Sequence, residues 1–382
     1  MAVLHYDYII VGAGAAGLML LNGMIDDDFF ADKSILVLDK DVKQTNDRTW
    51  CYWEKGEGQF DAIVHKKWHH IYFAGKKFAK RYPIAPYSYK MIRGIDFYNL
   101  ILNRMQAHDG ITFQQAHVTN VVDKGTVVSI TTTKASYTGN KVFNSLFNYK
   151  MATHQTTYPV LQQHFIGWFV KTNKPIFDAD QATYMDFSIP QKGNTRFMYV
   201  LPTSKNEALL EYTLFSEQLL PKEEYETAIK DYLEQNLACS DYEITDTEMG
   251  SIPMTAYDFQ EHHSKNMRYI GTAGGWAKPS TGYTFRSTAK KTPKLVAHIK
   301  SGKPLDSLSY KTKFWYYDML FIDVLFKDNA KGYNIFETLF KKRTPQQVFK
   351  FLDEETNFAE DVGNMMGSPI VPFIKALLGR IF

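Results

Sequence analysis

The stretch VGAGAAG, Val11–Gly17, decides the fold of this chain. It follows the apolar run Tyr8–Ile10, so a strand, a glycine turn and the start of a helix come in succession. Gly12 permits the tight turn, Gly14 lets a pyrophosphate approach the backbone, and Gly17 allows close packing of helix on strand. The stretch therefore predicts the phosphate-binding turn of a dinucleotide-binding domain.

The competing interpretation of this stretch is a glycine-rich turn in an unrelated α/β domain. A second apolar run favours the dinucleotide-binding domain instead. Ile35–Leu38 reads as a buried strand, and Asp39 closes it. This aspartate follows the last glycine by about twenty residues, where a carboxylate that binds a ribose is expected. We therefore predict that Asp39 contacts the nucleotide.

Composition excludes several classes of function. The net charge of +3 is nearly balanced and the lysines are scattered, which argues against a nucleic-acid partner. Cys51 and Cys239 are the only cysteines, too few for a disulfide framework or a cysteine metal site. We expect a cytoplasmic chain without a signal peptide. We also expect no membrane span, since the apolar region Phe314–Phe326 carries two aspartates and is shorter than roughly 20 residues.

A late glycine-rich segment, Gly271–Gly282, predicts a second contact with the same cofactor. An extended FAD needs a late loop to hold its far half, and glycines there let backbone amides approach the pyrophosphate and ribityl chain. The predicted FAD contacts in this segment are Gly271, Gly274, Thr281 and Gly282.

The fold class that follows is α/β, with a Rossmann-like FAD-binding domain, a β-sheet substrate domain and a helical C-terminal region. Strand-like runs dominate the middle of the chain, and helical spacing dominates its end. We place the discontinuous FAD-binding domain at residues 1–150 and 265–303, the substrate domain at 151–264, and the helical region at 304–382.

Several motifs, taken in order along nearly the whole chain, resemble the lycopene β-cyclases. Besides VGAGAAG, they are DRTWCYW at Asp47–Trp53, YMDF at Tyr184–Phe187, LPTSKNEALLEYTLFS at Leu201–Ser216 and GGWAKPSTGYTF at Gly274–Phe285. The resemblance implies an isomerase (intramolecular lyase) that cyclises the ψ-ends of lycopene and related acyclic carotenoids, by way of γ-carotene to β-carotene. It also implies reduced FAD as the active form, NAD(P)H as the reductant and no net redox change. The loop containing Arg48 would lie near the flavin.

Such a cyclisation starts with protonation of a terminal alkene, which is a very weak base, so it needs a carboxylic acid that stays protonated in a dry pocket. Glu211, between Leu210 and Tyr212, matches the acid of the family, and a carboxyl among apolar side chains has a raised pKa. Asp186 matches a second acidic motif, although Phe187 and Ser188 depart from the family pattern after it. We predict catalytic roles for both, with Asp186 sharing a proton with Glu211 or orienting it; an outward-facing Glu211 is the competing interpretation.

Two other patterns are interpreted as structural. Phe351–Thr356, FLDEET, resembles an acidic string of the plant cyclases but falls in the helical region, so we assign it to a helix surface. The pairs His69–His70 and His262–His263 suggest a metal only superficially, because adjacent side chains point apart. We predict no metal site.

The apolar tail Ile370–Phe382 carries two cations and suits an interfacial helix, which would place the protein peripherally on the inner face of the cell membrane. Packing of the tail against the helical region is the alternative. Two other functions stay open. One is a flavin-dependent monooxygenase or prenyl reductase of the same fold, which would consume NAD(P)H stoichiometrically, and the other is a carotenoid or flavin carrier.

Overall fold

The computed structural model describes residues 3–381, and their contacts divide the chain into two compact units. Unit 1 contains residues 3–50, 93–157 and 256–313, and unit 2 contains residues 51–92, 158–255 and 314–381. The strands, in chain order, are β1 (Leu4–Val11), β2 (Ile35–Asp39), β3 (Thr49–Lys55), β4 (Val64–Trp68), β5 (His70–Ala74), β6 (Ala79–Pro83), β7 (Tyr87–Arg93), β8 (Ile111–Gln115), β9 (Val118–Asp123), β10 (Val128–Thr132), β11 (Ser136–Asn144), β12 (Leu161–Thr172), β13 (Gln181–Asp186), β14 (Arg196–Pro202), β15 (Glu207–Ser216), β16 (Tyr242–Met254) and β17 (Met267–Tyr269). The α-helices are α1 (Ala15–Ile25), α2 (Gly94–Met105), α3 (Lys150–Thr153), α4 (Lys222–Asp231), α5 (Phe285–Lys300), α6 (Lys313–Lys327), α7 (Gly332–Lys342), α8 (Pro345–Leu352), α9 (Phe358–Met365) and α10 (Ile370–Ile381).

Unit 1 is built on a sheet of order β8-β2-β1-β11-β10-β9, with β17 paired to the end of β11. The pairs around β1 are parallel, and the C-terminal half of this strand, Tyr8–Val11, is buried. That burial fits the apolar run because a parallel strand is covered on both faces. Helix α1 follows the glycine turn directly and packs against α2 and α5. The predicted dinucleotide-binding βαβ arrangement and the α/β class are confirmed.

Unit 2 contains a largely antiparallel sheet of order β16-β12-β15-β14-β13-β5-β6 and a smaller sheet of order β3-β7-β4. Side chains alternate between the two faces of each strand. One face of the large sheet carries Trp168 and Leu210, which pack in one hydrophobic cluster with Tyr225 and Ile229 of α4. We call this the α4 face.

The opposite face of the large sheet is covered, toward β5 and β13, by aromatic residues of the C-terminal helices. Phe340 of α7 stacks on Phe73 with ring centroids 4.4 Å apart. Phe336 of the same helix stacks on Phe187 at 5.1 Å. The helical C-terminal region is therefore part of unit 2, and many of the chain's aromatics form its contacts with the sheet.

The two units differ from the predicted domain boundaries in several places. Residues 151–157, 256–264 and 304–313 group with unit 1, and the rest of the helical region joins unit 2 instead of forming a region of its own. Residues 51–92, placed by the sequence in the FAD-binding domain, group with unit 2. The reason is pairing across a long sequence separation, because β5 forms a parallel ladder with β13. Among the helices within residues 3–381, none is both long enough and apolar enough to cross a membrane.

Candidate functional site

The glycine loop between β1 and α1 has the geometry of a phosphate-binding turn. Gly12 has a φ of +97°, and a side chain there would collide with Ser145. A Cβ on Gly17 would lie 1.9 Å from the carbonyl oxygen of Gly12. Gly14 is the N-cap of α1, and nothing lies within 4 Å of the position its Cβ would take. No side chain caps the N-terminus of α1, so the first amides of this helix can donate hydrogen bonds to an anionic group. The turn therefore fits the pyrophosphate of a dinucleotide.

Asp39 ends β2 with its carboxylate beside this loop. Oδ2 accepts a hydrogen bond from the Ala13 amide at 2.6 Å, and Oδ1 accepts one from the Asp41 amide at 2.8 Å. The ammonium of Lys43 lies 3.9 Å from Oδ2. The structure therefore brings Asp39 to the glycine turn, and its contact with a ribose stays a prediction.

The late glycine segment packs against the same turn. Gly271 has a φ of +60°, and a Cβ there would lie 2.9 Å from the Cβ of Ala16 in the first turn of α1. At Gly274, a Cβ would lie 2.3 Å from the carbonyl oxygen of Tyr269. The two segments predicted to hold FAD, distant in sequence, thus meet within unit 1.

Thr281 and Gly282 form a turn just before α5. Gly282 has a φ of +70° and donates its amide to the carbonyl oxygen of Lys278 at 2.8 Å. The hydroxyl oxygen of Thr281 accepts the amide of Tyr283 at 3.3 Å. Lys278 in turn donates its amide to the carbonyl of Tyr283 at 3.1 Å, which closes the loop on itself. The predicted contact of these residues with FAD stays a prediction.

Arg48 does not form the carboxylate ion pair that an adjacent aspartate suggests. Its guanidinium is exposed and donates to the backbone carbonyl of Asp47 at 2.7 Å. The Asp47 carboxylate instead accepts the hydroxyl of Tyr98 at 2.6 Å. It also lies 3.7 Å from the ammonium of Lys43. Asp47 therefore fixes the loop to α2. The hydrogen bonds of this loop do not test the predicted contact of Arg48 with the cofactor, which stays a prediction.

Glu211 lies in the middle of β15, on the sheet face opposite the α4 face. Its cross-strand neighbours are Tyr199 on β14 and Gly167 on β12, and Thr213 donates to its Oε1 at 2.9 Å. The residue as a whole is only half-buried, but protein atoms enclose its carboxyl. Burial, reinforced by the negative charge of Glu248, raises the pKa of Glu211 to about 8, against the opposing effect of the Thr213 hydrogen bond.

Asp186 does not share this face. It pairs with Met198 on β14, which pairs with Tyr212 on β15, so Asp186 and Tyr212 lie on one face of the sheet. Glu211 precedes Tyr212 and therefore points to the other face. The proton sharing or direct orientation that we expected between the two acids is incompatible with this register.

The carboxylate of Asp186 holds local structure on the α4 face. Oδ2 accepts the hydroxyl of Tyr232 at 2.8 Å, and Oδ1 accepts both the amide and the hydroxyl of Ser188, at 2.8 and 2.6 Å. The residue is 4% exposed. Three donors thus converge on one buried carboxylate. A catalytic role for Asp186 stays a prediction, and these bonds indicate a structural one.

Sequence reasoning missed two groups that lie near Glu211. Glu248 on β16 pairs with Gly167 of β12, which also pairs with Glu211. Cys51 on β3 is a further neighbour, because burial and the charges of Glu211 and Glu248 together raise the pKa of its thiol well above the usual range. No motif marked Glu248, since the register that brings β16 beside β12 is set by tertiary pairing alone.

The FLDEET string, assigned by the sequence to a helix surface, lies only partly in a helix. Its first two residues end α8, and Glu354 follows with a φ of +62°. Thr356 donates its hydroxyl to the buried carboxylate of Asp361 at 2.5 Å. The string therefore forms the end of α8 and the connection toward α9, in which Glu354 and Glu355 are exposed and Thr356 is buried.

The histidine pair at the start of β5 differs from the expectation that adjacent side chains point apart. His69 and His70 each place Nδ1 2.9 Å from the carboxylate of Asp180. They converge because His69 lies before the first residue of β5, so its side chain does not follow the alternation of side chains along that strand. In the part of the chain that the structure describes, no group of three or more His, Cys, Asp or Glu could hold a metal ion.

Comparison with known proteins connects this geometry to a family. The sequence model of the family described as Lycopene cyclase protein matches residues 7–378. No curated protein matches the chain at the threshold applied.

Solved structures share the fold at low sequence identity. A flavoprotein/dehydrogenase from Cytophaga hutchinsonii is 13% identical with a TM-score of 0.61, over 98% of this chain and 100% of that chain. A geranylgeranyl bacteriochlorophyll reductase-like protein from Thermoplasma acidophilum is 9% identical with a TM-score of 0.57, over 98% and 96%. A variant of the halogenase PltM in complex with FAD is 10% identical with a TM-score of 0.58, over 91% and 82%. The chain thus has a flavoprotein-type fold.

Proposed function

Because the chain belongs to the lycopene cyclase protein family, we propose that it is a lycopene β-cyclase that converts the ψ-ends of lycopene to β-rings. The observation that carries this proposal is the carboxyl of Glu211, whose pKa burial raises to about 8. Such a group is mostly neutral at pH 7, as a donor to an alkene must be.

In the proposed reaction, Glu211 protonates the CH carbon of the terminal double bond. The positive charge then forms on the adjacent dimethyl carbon. The next double bond along the chain attacks that carbon, which closes the ring and leaves a tertiary cation inside it. Loss of a proton from the newly bonded ring carbon gives the β-ring. The product is an isomer of the substrate, so no electrons are gained or lost.

Aromatic residues on the Glu211 face support a cationic intermediate. Tyr199 is the cross-strand neighbour of Glu211, and its ring centroid lies 6.2 Å from that of Tyr184. Tyr89 packs on Tyr184 at 5.6 Å and is hydrogen-bonded to Cys51. The faces of such rings carry partial negative charge and stabilise a cation that has lost its water. These side chains also exclude the water that would trap it.

The glycine turns of unit 1 support FAD as the cofactor. Gly12, Gly14 and Gly17 would hold the pyrophosphate, with Asp39 at the adenosine ribose and Gly271 on the far side of the turn. Reduced FAD would supply an electron-rich ring that stabilises positive charge. We propose NAD(P)H as the source of its electrons.

Lycopene dissolves in lipid, and the C-terminal helices carry a surface suited to a membrane. No residue of α10 is buried, although its composition is largely apolar, while Arg380 forms an ion pair with Asp323 of α6. Phe382, in the same tail, lies outside the described residues. A helix held on one side with apolar residues on the other suits peripheral attachment to the inner face of the cell membrane. The exposed large apolar residues of α9 and α10 are Phe358, Val362, Met365, Ile370, Val371, Ile374, Leu377, Leu378 and Ile381.

The test is a product analysis by mass. Purified protein is supplied with FAD, NADPH and lycopene in phospholipid vesicles under anaerobic conditions. The carotenoids are then separated by chromatography, and their molecular masses are measured by mass spectrometry. A cyclase gives γ-carotene and β-carotene with the mass of lycopene. A prenyl reductase would add hydrogen atoms, and a monooxygenase given air would add oxygen; either result would contradict the proposal.

A further inference from the structure

Two acids flank one glycine in the large sheet of unit 2. Gly167 on the central strand β12 is paired with Glu211 on one side and with Glu248 on the other. Residues directly opposite in antiparallel strands point to the same face, so both carboxylates rise from the face opposite α4. Their Cα atoms are two strand spacings apart, roughly 10 Å.

The absence of a side chain at Gly167 lets side chains of the neighbouring strands lie over the backbone of β12, and a Cβ there would lie 2.8 Å from Cδ1 of Leu209. A Cβ there would lie 3.3 Å from Cγ of Glu248 and 3.5 Å from Cγ of Glu211. Both glutamates therefore lean over the glycine from opposite sides. Along β12 the next residues on the same face are Phe165 and Phe169, both only partly buried. The result is a cluster in which Glu211, Glu248 and Leu209 lie over Gly167, with an aromatic residue on either side along β12.

The electrostatics of this cluster indicate that Glu248 lies close enough to act on Glu211. The charge of Glu248 adds to burial in raising the pKa of Glu211, and the charges of both raise the pKa of the Cys51 thiol. Two nearby carboxyls in such surroundings favour holding one proton between them, since the second ionisation costs more than the first. The titratable groups facing Glu211 are thus Glu248 from β16, Cys51 from β3 and Tyr199 from β14.

We propose that Glu248 is the base that removes the ring proton, an inference that rests on the proposed cyclase function. Glu211 gives its proton to the alkene, and the carboxylate of Glu248 takes the proton from the newly bonded ring carbon as the ring double bond forms. One proton enters the substrate and one leaves it, so the product is an isomer. The pair then holds its single proton on Glu248, and transfer of that proton to Glu211 restores the starting state.

A base at a fixed place also determines where the ring double bond forms. The cyclic tertiary cation can lose a proton from either adjacent ring carbon or from its methyl group. Only loss from the newly bonded carbon gives the β-ring. A carboxylate held across Gly167 from the acid selects one of these three protons by position.

The experiment compares Glu248→Gln with Glu243→Gln, an exposed glutamate on the same strand β16. Each is assayed as purified protein with FAD, NADPH and lycopene in vesicles, and ring isomers are resolved by chromatography. For Glu248→Gln we expect roughly 10²-fold less β-ring, as for loss of a general base, and a larger share of isomers with the double bond elsewhere. Glu243→Gln should match wild type.

A second measurement needs no turnover. The infrared band of protonated carboxyl groups is titrated with pH in wild type, Glu248→Gln and Glu211→Gln. Removing the charge of Glu248 should lower the pKa of Glu211, so its band should disappear at a lower pH. The proposal is overturned if Glu248→Gln keeps the wild-type yield, if it loses activity without any change in isomer ratio, or if the Glu211 band does not move. Absence of rings from wild type would instead contradict the cyclase function itself.

Discussion

At the scale of single residues, the feature that matters most is a neutral glutamic acid. A carboxylate would be useless as a proton donor, and a glutamate in water is almost wholly ionised at pH 7. Burial of Glu211, with Glu248 nearby, shifts this balance toward the acid form. Gly167 contributes by leaving room for both side chains.

Glu211→Gln keeps the size of the side chain but removes the proton donor. We expect ring formation to fall by roughly 10²–10⁴-fold, the usual contribution of a positioned acid. Carotenoids extracted from a lycopene-accumulating host and separated by chromatography give the measurement. Glu354→Gln, at an exposed position of the FLDEET string, is the matched control and should form β-carotene normally. Substantial β-carotene from Glu211→Gln would show that the acid lies elsewhere.

The same substitution should change how stability depends on pH. The folded pKa of Glu211 is raised from 4.5 to about 8, so the folded state holds this proton more tightly than the unfolded chain does. That contribution is fully present below pH 4.5 and is lost as the pH rises through about 8. The melting temperature of Glu211→Gln relative to wild type should therefore increase across this range. A constant difference would contradict the raised pKa, and Glu354→Gln should show no such trend.

At the scale of elements, strand register separates two acids that the sequence groups together. β13 and β15 belong to one sheet, but Asp186 points to the α4 face and Glu211 to the other. Asp186 binds Tyr232, just beyond α4, and the turn at Ser188. The position of Asp186 in the sheet indicates that its carboxylate stabilises the structure on the α4 face of unit 2.

Asp186→Asn tests this structural role. An amide cannot accept from all three donors, so one buried hydrogen bond is lost or strained, at about 1–3 kcal/mol of unfolding free energy. Chemical denaturation measures the loss, and Tyr232→Phe should cost a similar amount through the same bond. We expect folded Asp186→Asn to keep its wild-type ring isomers and pH profile. A shifted pH profile with unchanged stability would favour the catalytic role instead.

The exposed face of α10 should determine membrane attachment. Ile374 and Leu378 are 50% and 48% exposed and lie one turn apart. Replacing both by glutamate should move the protein from sedimented vesicles to the supernatant, because apolar contact is lost and anionic lipid repels the new charges. The melting temperature should change little. Asn103→Glu with Gln106→Glu adds the same charge on exposed positions in α2 and at its C-cap, and should leave binding intact. Aggregation of the α10 variant would favour the packing interpretation.

At the scale of the whole molecule, a flavoprotein-type fold is proposed to perform chemistry without net electron transfer. The related folds include a reductase-like protein and a dehydrogenase, so the fold alone does not decide between redox and isomerising chemistry. The distinction is a matter of stoichiometry. A cyclase needs its flavin reduced once, whereas a reductase spends a reductant on every product.

We therefore expect far less than one NADPH oxidised per β-ring formed, under anaerobic conditions. The loss of NADPH absorbance is followed during the reaction and compared with rings counted by chromatography. Oxidised enzyme without reductant should be inactive. One NADPH consumed per ring would contradict an isomerisation.

The sequence by itself determined the parts of the fold that depend on neighbouring residues. The turn around Gly12, the helix after it and the strand ended by Asp39 follow from local backbone freedom and apolar runs, and the structure confirms them. Motif order along the chain was enough to predict the family, which is confirmed. It also selected Glu211 as the candidate acid, and the role of that residue stays a prediction. The FLDEET string could likewise be dismissed, because helical spacing around it is a local signal.

Only the tertiary structure decided which acids meet. The sequence of a strand shows that its successive side chains alternate between two faces. It does not show which strand lies beside it or in what register, and a shift of one residue in the register reverses the face of every side chain. For that reason Asp186 was expected beside Glu211, whereas β12 brings Glu248 there instead. The grouping of residues 51–92 with unit 2 has the same cause, since β5 finds its partner β13 far along the chain. Pairing between distant strands leaves no local trace in the sequence.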